Sequence, residues 1–384
     1  MNNFLTNYCI NASVADCTYI SKQDWDAHET SWDFQCNELV TISKSEIENR
    51  NSVEAAVEAY ERKWTDLFMR LHANEEELNR QFIEIYGLQD ELTPDVPLDE
   101  VTILQQGEVK VNDQYRLTTE DDKYIVDEKG RYLTVTGDKY LDWQRDVIIK
   151  QLISYIVGVW MGRYRLDKPG LHIAHPNPTE EEIEKYQIPN ANYYLQIDVD
   201  GIIPVLPADA PFFDNLRNYV VEFVRKVWGD NSLTENINFM EKCLGKSLDD
   251  FLMKDFWKYH KKMYQNRPIY WEFASKKGAF RALIYAHRMD RYTVEVLRSK
   301  YLLPYIGHIE HKIAPLELRQ NELTTSERRE LDNLRNKTLP ELREYALRVE
   351  VVAGERAKCD PVFDLDDGIP HNHALFGDIV TKLK

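Results

Sequence analysis

The sequence predicts an α+β protein that is mainly α-helical, with a small β-insert at about 105–140 and a β-hairpin at about 268–286 between helices. Long stretches repeat apolar residues at alternating spacings of four and three, as Val53, Val57 and Tyr60 do, which is the period of an α-helix. Shorter stretches alternate apolar and polar residues around Lys-Gly turns, which is typical of β-strands. The 384 residues, 43% of them hydrophobic, are enough for a large core and for two or three subdomains of about 100–200 residues each.

Residues 1–104 are expected to contain an extended segment followed by a helical hairpin. Residues 1–50 show no helical period, and we expect large rings among acidic residues to anchor them as an extended segment. These rings are Trp25, Trp32 and Phe34. The helical stripe that begins near Val53 continues beyond Asn74, a second N-cap candidate, to Gly87, which can end a helix. The stretch 52–87 is therefore either an αα-hairpin or one bent helix.

The rest of the chain divides into three predicted regions. Residues 105–140 contain short alternating stretches and a candidate hairpin turn at 128–130, which together predict the β-insert. Residues 141–305 are predicted to form a central α+β domain, with its most apolar helix at 142–164. Residues 306–384 are predicted to form C-terminal helices and an ordered tail, because apolar residues recur throughout the tail among turn-forming residues.

Several helix boundaries are predicted from capping chemistry. Capping boxes, in which a Ser or Thr precedes a Glu by three residues, are expected at Thr179, Ser232 and Thr324. Another helix is expected to run from Ser247 towards Tyr264. Gly354 is expected to end the last long helix.

A positively charged segment rich in aromatic residues, which we call the basic block, extends over residues 254–300. It contains seven Lys and five Arg against two Asp and two Glu, a formal charge of +8, whereas the whole chain is −17 at pH 7. Positive side chains neutralise phosphates, and flat rings can stack on bases. The block is therefore a candidate nucleic-acid interface. The alternative is that its rings belong to the core and its charges only solvate the surface.

The periodicity of the basic block predicts a helix, a hairpin and a second helix. Trp271 and Phe273 share a strand face with Ile269, so we interpret both rings as core residues rather than base-stacking ones. Basic residues on these elements are predicted to contact DNA phosphates, which position a duplex without reading its sequence. They are Lys258, Lys261 and Lys262 on the helix, Arg267, Lys276, Lys277 and Arg281 at the hairpin, and Arg288 and Arg291 after it.

The motifs of several enzyme classes are missing from the sequence. A methyltransferase that acts on adenine needs a glycine-rich turn for S-adenosylmethionine and an Asn/Asp-Pro-Pro-aromatic loop for the flipped base, and the chain has neither. It also has no P-loop and no Gly-x-Ser-x-Gly elbow. We therefore predict no catalytic residue and no cofactor site in this chain.

Two weak patterns could be connected with metal chemistry. Asp95, Glu108 and Lys110 fit the loose pattern of metal-dependent nucleases, but Asp95 lies between two prolines rather than on a strand. His371 and His373 stand near three aspartates of the tail, and a turn with surface histidines explains them better than a metal site does. We predict no metal site.

The sequence also indicates the cellular compartment in which the protein is expected. The five cysteines are scattered and form no Cys-x-x-Cys pair, which favours a reduced, cytoplasmic protein. The N-terminus lacks the basic and apolar regions of a signal peptide. The longest apolar stretch, 152–161, is much shorter than the ~20 residues that cross a bilayer. We therefore expect a buried helix there and no membrane partner.

Several long segments of the chain resemble a known family. They are the aromatic segment 24–34, NEEELNRQFIEIYGLQDELTPDV at 74–96, GRYRLD at 162–167, RPIYWEFASKKGAFRALIYAHR at 267–288, and LDDG with FGDIV in the tail. Over nearly its whole length, the chain resembles the C-terminal part of PglX-type adenine-specific DNA methyltransferases of bacterial BREX phage-exclusion systems, and of related type II restriction–modification methylases. The resemblance is weakest at 105–140 and 168–195.

The resemblance implies a role on DNA. Members of this family are much longer, and their cofactor-binding and catalytic motifs lie upstream of the segment that this chain resembles. It would then be a fragment, inactive alone, that helps to bind and position duplex DNA. An upstream domain would bind S-adenosylmethionine and methylate adenine at N6.

The implied partners are duplex DNA and the catalytic and target-recognition portion of the methyltransferase, with other BREX proteins as further candidates. The alternative function is a protein scaffold. In that case the helices at 52–87 and 316–352 would dock the catalytic half or other BREX components.

Overall fold

The computed structural model describes the backbone of residues 2–44, 52–111, 125–126, 132–133, 141–358 and 368–383. The chain divides into two compact units, Met1–Leu152 and Ile153–Lys384. Helices dominate the described residues and the strands are short, which confirms the predicted mainly α-helical fold with small β elements. The finer division into four regions remains a prediction.

The described part of the first unit is built mainly from helices: Asn2–Ala27, Glu38–Lys44 and Val53–Tyr86, with a 3-10 turn at Leu98–Glu100. The expectation of an extended segment at 1–50 is therefore wrong. The carboxylate of Asp16 on the first helix accepts hydrogen bonds from Arg70 and Asn74 on the long helix, each at 2.7 Å. The first helix has no continuous apolar stripe, so periodicity does not predict it. Packing against the long helix stabilises it instead.

The stretch 52–87 forms one continuous helix, which excludes the αα-hairpin. The Ser52 hydroxyl accepts a hydrogen bond from the backbone N–H of Ala55 at 3.1 Å and so caps the helix at its start. Gly87 ends the helix with φ +67°, the left-handed conformation that the sequence predicts. The buried residues of this helix extend only from Val53 to His72. The last part of the helix therefore has an exposed surface.

The described part of the predicted β-insert contains two pairs of antiparallel strands. The strands are β1 (Val109–Val111), β2 (Ile125–Val126), β3 (Tyr132–Leu133) and β4 (Leu141–Trp143), and β1 pairs with β4 while β2 pairs with β3. The predicted turn at 128–130 lies outside the described residues. The apolar helix expected at 142–164 is Arg145–Trp160. It begins later than predicted because the residues before it pair with β1.

Along the chain, the second unit has helices both before and after the hairpin. Before the hairpin they are Glu180–Ile183, Leu216–Trp228, Leu233–Leu244, Leu248–Lys254 and Phe256–Met263. After it they are Thr293–Val296, Leu303–Leu318, Thr325–Asn333, Leu339–Arg356 and Gly368–Ala374. Shorter 3-10 or π-helical segments are Ala286–Arg288, Leu297–Leu302, Leu334–Thr338 and Gly377–Ile379.

The predicted hairpin forms part of a three-stranded antiparallel sheet. The second unit first has a two-residue pair, β5 (Tyr186–Gln187) with β6 (Tyr194–Leu195). The sheet then consists of β7 (Ile202–Pro204), β8 (Tyr270–Ala274) and β9 (Arg281–Tyr285), in the order β7-β9-β8. The third strand, β7, was not predicted because three residues are too few to show an alternating pattern.

The capping predictions have mixed outcomes. Thr179 and Thr324 form complete capping boxes, as predicted. The box at Ser232 is wrong, because its hydroxyl donates to the carbonyl oxygen of Trp228 at 3.0 Å and does not cap the following helix. The helix after Ser247 is interrupted at Asp255.

The last long helix is slightly longer than the sequence predicts. The prediction that Gly354 ends the last long helix is wrong, because this helix continues to Arg356. No described helix combines the length and the apolar character needed to span a bilayer.

Candidate nucleic-acid interface

The basic block contributes to two separate places on the second unit. The helix Phe256–Met263 packs at the start of β8, where Nε2 of His260 accepts hydrogen bonds from the backbone N–H groups of Ile269 at 3.3 Å and Tyr270 at 3.2 Å. The hairpin tip at 276–278 lies beyond the other end of this five-residue strand. A strand of that length spans about 17 Å. The cations of the basic block therefore form a helix group and a hairpin-tip group.

Most aromatic rings of the basic block belong to the core. Trp271 and Phe273 are completely buried, which confirms their interpretation as core residues. The ring of Phe376 packs edge-on against both, with centroid distances of 5.8 Å and 5.3 Å respectively. The other buried rings of the block are Phe256, Trp257, Tyr270, Phe280 and Tyr285. None of these seven rings can stack on a base in this conformation.

The helix group has exposed positive charge. Lys258 and Lys262 are exposed on the helix and Arg267 is exposed just after it. Lys258 lies 3.8 Å from the carboxylate of Asp255, a long contact on a solvated surface. Lys261 is half-buried, with its ammonium 5.1 Å from the ring centroid of Trp257. The group can therefore present its cations to a phosphate backbone.

The hairpin-tip group is anchored through its backbone. The side chains of Lys276 and Lys277 are exposed. Oε1 of Glu341 accepts a hydrogen bond from the backbone N–H of Lys277 at 2.6 Å, and this carboxylate belongs to the helix Leu339–Arg356. Arg281 is half-buried and pairs at 2.8 Å with the buried carboxylate of Glu272. The two lysines thus form the exposed part of this group.

The last two predicted phosphate contacts differ from the others. Arg288 is only 4% exposed, and its guanidinium donates to the backbone carbonyl oxygens of Met161, Asp198 and Val199 at 2.6–3.0 Å. The prediction that Arg288 contacts phosphate is therefore corrected, because the side chain is buried and both of its terminal nitrogens donate inside the unit. Arg291 is half-buried.

A buried carboxylate shapes the turn before β7. Oδ1 of Asp198 accepts from the backbone N–H groups of Asp200 at 3.1 Å and Gly201 at 2.6 Å, while Oδ2 accepts from the Tyr219 hydroxyl at 3.0 Å. Burial, followed by the nearby charge of Asp200, raises the pKa of Asp198 to about 8. The contact of this turn with Lys300 joins residues 100 positions apart, so no local sequence pattern indicates it. Asp200 pairs with Lys300 at 2.6 Å, so that cation of the basic block is neutralised within the unit.

The nuclease pattern is not assembled as a metal site. Oε1 of Glu108 is 2.8 Å from Nε2 of His28 and accepts from Gln151 at 2.7 Å. Burial favours a higher pKa for Glu108, but the hydrogen bond and charge of His28 outweigh it and lower the pKa. Asp95 and Lys110 are exposed. Among the described residues, no three His, Cys, Asp or Glu side chains are grouped to hold a metal ion.

The fold and this surface define a mainly helical protein with exposed cations on an otherwise acidic chain. Two known proteins are similar to it. The chain is 33% identical over 383 residues to the adenine-specific methyltransferase BrxX of Escherichia coli O9:H4 (strain HS), covering 95% of this chain and 29% of that protein. It is 35% identical over 371 residues to the adenine-specific methyltransferase PglX of Lacticaseibacillus casei (strain Zhang), covering 92% of this chain and 26% of that protein.

These similarities confirm the family resemblance. The chain is a relative of PglX/BrxX-type adenine-specific methyltransferases and spans less than a third of the length of these two relatives. No protein-family model matches the chain.

Proposed function

We propose that this chain is the non-catalytic C-terminal part of an adenine-specific N6 DNA methyltransferase of a phage-defence system, and that it helps to bind and position duplex DNA. The supporting observation is the exposure of Lys258, Lys262, Arg267, Lys276 and Lys277 in a chain similar to adenine-specific methyltransferases. The chain itself lacks the sequence motifs for S-adenosylmethionine and for the target adenine.

The exposed cations favour contacts to the DNA backbone over contacts to bases. Lysine and arginine side chains bind phosphates at any sequence and so set the position of a duplex. The aromatic side chains that could stack on bases are mostly buried. Base readout and methyl transfer are therefore assigned to the rest of the methyltransferase, which would bind S-adenosylmethionine. A DNA-bound role would place the protein in the bacterial cytoplasm.

The proposal is tested by fluorescence anisotropy of the chain with a labelled duplex over a series of salt concentrations. Non-specific binding with a dissociation constant of about 10⁻⁴ to 10⁻⁶ M is expected near physiological salt. If all five exposed cations contact phosphates, the slope of log K against log salt is about −4 to −5, since each contact contributes about −0.9. Absence of binding even at low salt would contradict the proposal.

The hairpin-tip group is tested by the double variant Lys276→Glu and Lys277→Glu. We expect weaker binding and a shallower salt slope, because both lysines are exposed and the substitution reverses their charge. The matched control is Arg329→Glu with Lys337→Glu, which changes the net charge equally at exposed positions outside the basic block. Unchanged affinity in the first variant, or equal losses in both, would remove the hairpin tip from the interface.

The scaffold function is the second candidate, because both predicted docking helices expose apolar side chains. At the end of the first, Phe82, Ile85 and Tyr86 are all exposed. In the second region the exposed apolar residues are Leu318, Leu347 and Val351. Weak binding to every duplex tested, with tight binding to a separately produced catalytic half, would favour the scaffold. Polar substitutions at Ile85 and Val351 should then weaken that protein complex.

A further inference from the structure

Arg163 is a half-buried cation in the second unit that forms no ion pair with the residues described by the structure. Its Nε donates to the Tyr164 hydroxyl at 2.9 Å, and its Nη1 donates to the Tyr285 hydroxyl at 3.1 Å. Its Nη2 makes no hydrogen bond to the described residues, and the residue as a whole is half-buried. An arginine remains charged in proteins. A positive charge with unused donors therefore lies at this position.

Two buried arginines of the same unit have partners that differ from those of Arg163. Arg165 binds the carboxylate of Asp167 through two hydrogen bonds, at 2.8 Å and 2.7 Å. Arg288 uses its donors on three backbone carbonyl oxygens. Charged groups that leave water are normally compensated in such ways. Arg163 instead contacts two tyrosine hydroxyls and the ring of Tyr164, and no carboxylate of the described residues pairs with it.

The aromatic surroundings hold the Arg163 guanidinium in place. The centre of the guanidinium lies 5.4 Å from the ring centroid of Tyr164. Gly158 makes room for this ring, because a Cβ atom there would lie 2.6 Å from Tyr164 and 3.0 Å from the hydroxyl of Tyr270. The Tyr285 hydroxyl donates to the carbonyl oxygen of Ile173 at 2.9 Å, which leaves its oxygen lone pairs for Arg163. The site is thus built around the cation before any ligand binds.

Two histidines, His260 and His287, lie within electrostatic range of Arg163. Burial, followed by the charge of Arg163, lowers the pKa of His260 to about 3 and that of His287 to about 4. Both imidazoles are therefore neutral near pH 7. Tyr264, at the end of the helix group, also lies within electrostatic range of Arg163, and its carbonyl oxygen accepts from the backbone N–H of Arg267 at 2.8 Å. Arg163 consequently adjoins the end of the helix that presents the exposed lysines.

We propose that Arg163 binds a phosphate group, which in the DNA-bound protein is a backbone phosphodiester of the duplex. A guanidinium offers a planar fork of donors that matches phosphate oxygens, and its hydrogen bonds to phosphate are stronger than neutral ones. This inference rests on the proposed DNA-binding function and adds a residue to the nine predicted from the sequence.

The first test compares Arg163→Gln with the unsubstituted chain in the duplex-binding salt series. Loss of one charge-assisted phosphate contact is expected to weaken binding about tenfold and to reduce the salt slope by about 0.9. The control is Arg217→Gln, which removes one positive charge from an arginine that pairs with Asp249 at 3.0 Å. Binding by Arg163→Gln that equals that of the control would overturn the assignment to DNA phosphate.

A second test uses the unsubstituted chain and does not depend on DNA binding. Phenylglyoxal, an arginine-selective reagent, is applied with inorganic phosphate or with chloride at equal ionic strength, and labelling of Arg163 is quantified by mass spectrometry. Protection by phosphate supports the anion site even if Arg163→Gln fails to fold. Equal labelling in both salts, or no labelling at all, would overturn it.

The two tests separate this inference from the proposed function. If the chain binds no duplex but phosphate protects Arg163, the anion site stands and the duplex-binding function fails. An added arm with adenosine monophosphate distinguishes the sources of the phosphate, because stronger protection by the nucleotide than by a short duplex would indicate a free nucleotide as the ligand. If duplex binds normally and Arg163 is unprotected by duplex, the proposed function stands and this inference fails.

Discussion

The arginines of the second unit differ in what surrounds their guanidinium groups. Arg165 has a carboxylate two residues away in the chain, a pairing that local sequence can suggest. Arg288 has carbonyl acceptors about 90 and 127 residues away, which no local pattern indicates. Arg163 has only tyrosine hydroxyls. The same residue type is thus a paired charge, a structural donor and a candidate phosphate ligand.

Arg288→Gln is expected to destabilise the second unit rather than to change a DNA contact. The shorter side-chain amide of Gln cannot reach all three carbonyl oxygens. Each buried acceptor that is left without a donor costs about 1–3 kcal/mol. We expect a loss of about 2–4 kcal/mol in the free energy of unfolding, measured by urea denaturation. Arg267→Gln, at an exposed position, is the control and should leave the denaturation midpoint nearly unchanged.

His260 is expected to make the second unit sensitive to acid. The pKa of His260 is about 3 in the folded state and 6.5 ordinarily. As the pH falls, the His260 side chain is therefore protonated in the unfolded chain before it is protonated in the folded chain. Its contribution to stability is therefore complete above pH 6.5 and is lost progressively towards pH 3. Between pH 7.5 and 5.5 the loss is about 1 kcal/mol. The denaturation midpoints at these two pH values should differ less in the His260→Gln variant than in the unsubstituted chain. An equal difference in the variant and in the unsubstituted chain would exclude His260 as the cause of the acid sensitivity.

At the scale of elements, the hairpin is held at both ends by helices that are far from each other in the chain. His260 binds the backbone where β8 begins, and Glu341 binds the backbone at the tip. The alternating pattern predicted both strands of the hairpin. It did not show that both faces of β8 are buried, because the third strand and the tail contact the hairpin from elsewhere in the chain.

Glu341→Ala is expected to loosen the hairpin tip. The backbone N–H of Lys277 would lose its 2.6 Å hydrogen bond to a carboxylate. A loss of about 1 kcal/mol corresponds to about fivefold faster amide hydrogen exchange at Lys277. Glu344→Ala, on the same helix, is the control. Unchanged exchange at Lys277 in the first variant would show that the tip does not depend on this helix.

At the scale of the whole molecule, a net charge of −17 coexists with exposed cations on the second unit. A strongly acidic surface repels DNA except where the cations locally dominate, so it limits how the chain can approach a duplex. The separation of the helix group from the hairpin-tip group would allow contacts to phosphates about 17 Å apart. We therefore expect several phosphate contacts rather than a single one.

The chain is expected to show no methyl transfer by itself. Incubated with an adenine-containing duplex and S-adenosylmethionine, it should yield no N6-methyladenine, since the sequence lacks the motifs that bind either group. Mass spectrometry of the digested DNA measures the product, with a full-length methyltransferase as the positive control. Product above the background of a no-enzyme sample would contradict the non-catalytic assignment.

The sequence alone determined the mainly helical fold, the hairpin, the helix end at Gly87 and the family resemblance. These features depend on local periodicity, on turn and capping chemistry, or on long sequence motifs. The core position of Trp271 and Phe273 also followed from strand alternation. Apart from the family resemblance, which extends over most of the chain, this information lies within a few turns of helix or one hairpin.

Only the tertiary structure decided which polar and charged groups are available. It showed the first helix at Asn2–Ala27, the third strand of the sheet, the burial of Arg288 and the absence of a carboxylate partner for Arg163 among the described residues. Each depends on partners distant in the chain, and burial converts an ordinary surface cation into a structural donor when such partners surround it. The positions of positive charges follow from the sequence, but their accessibility follows from packing.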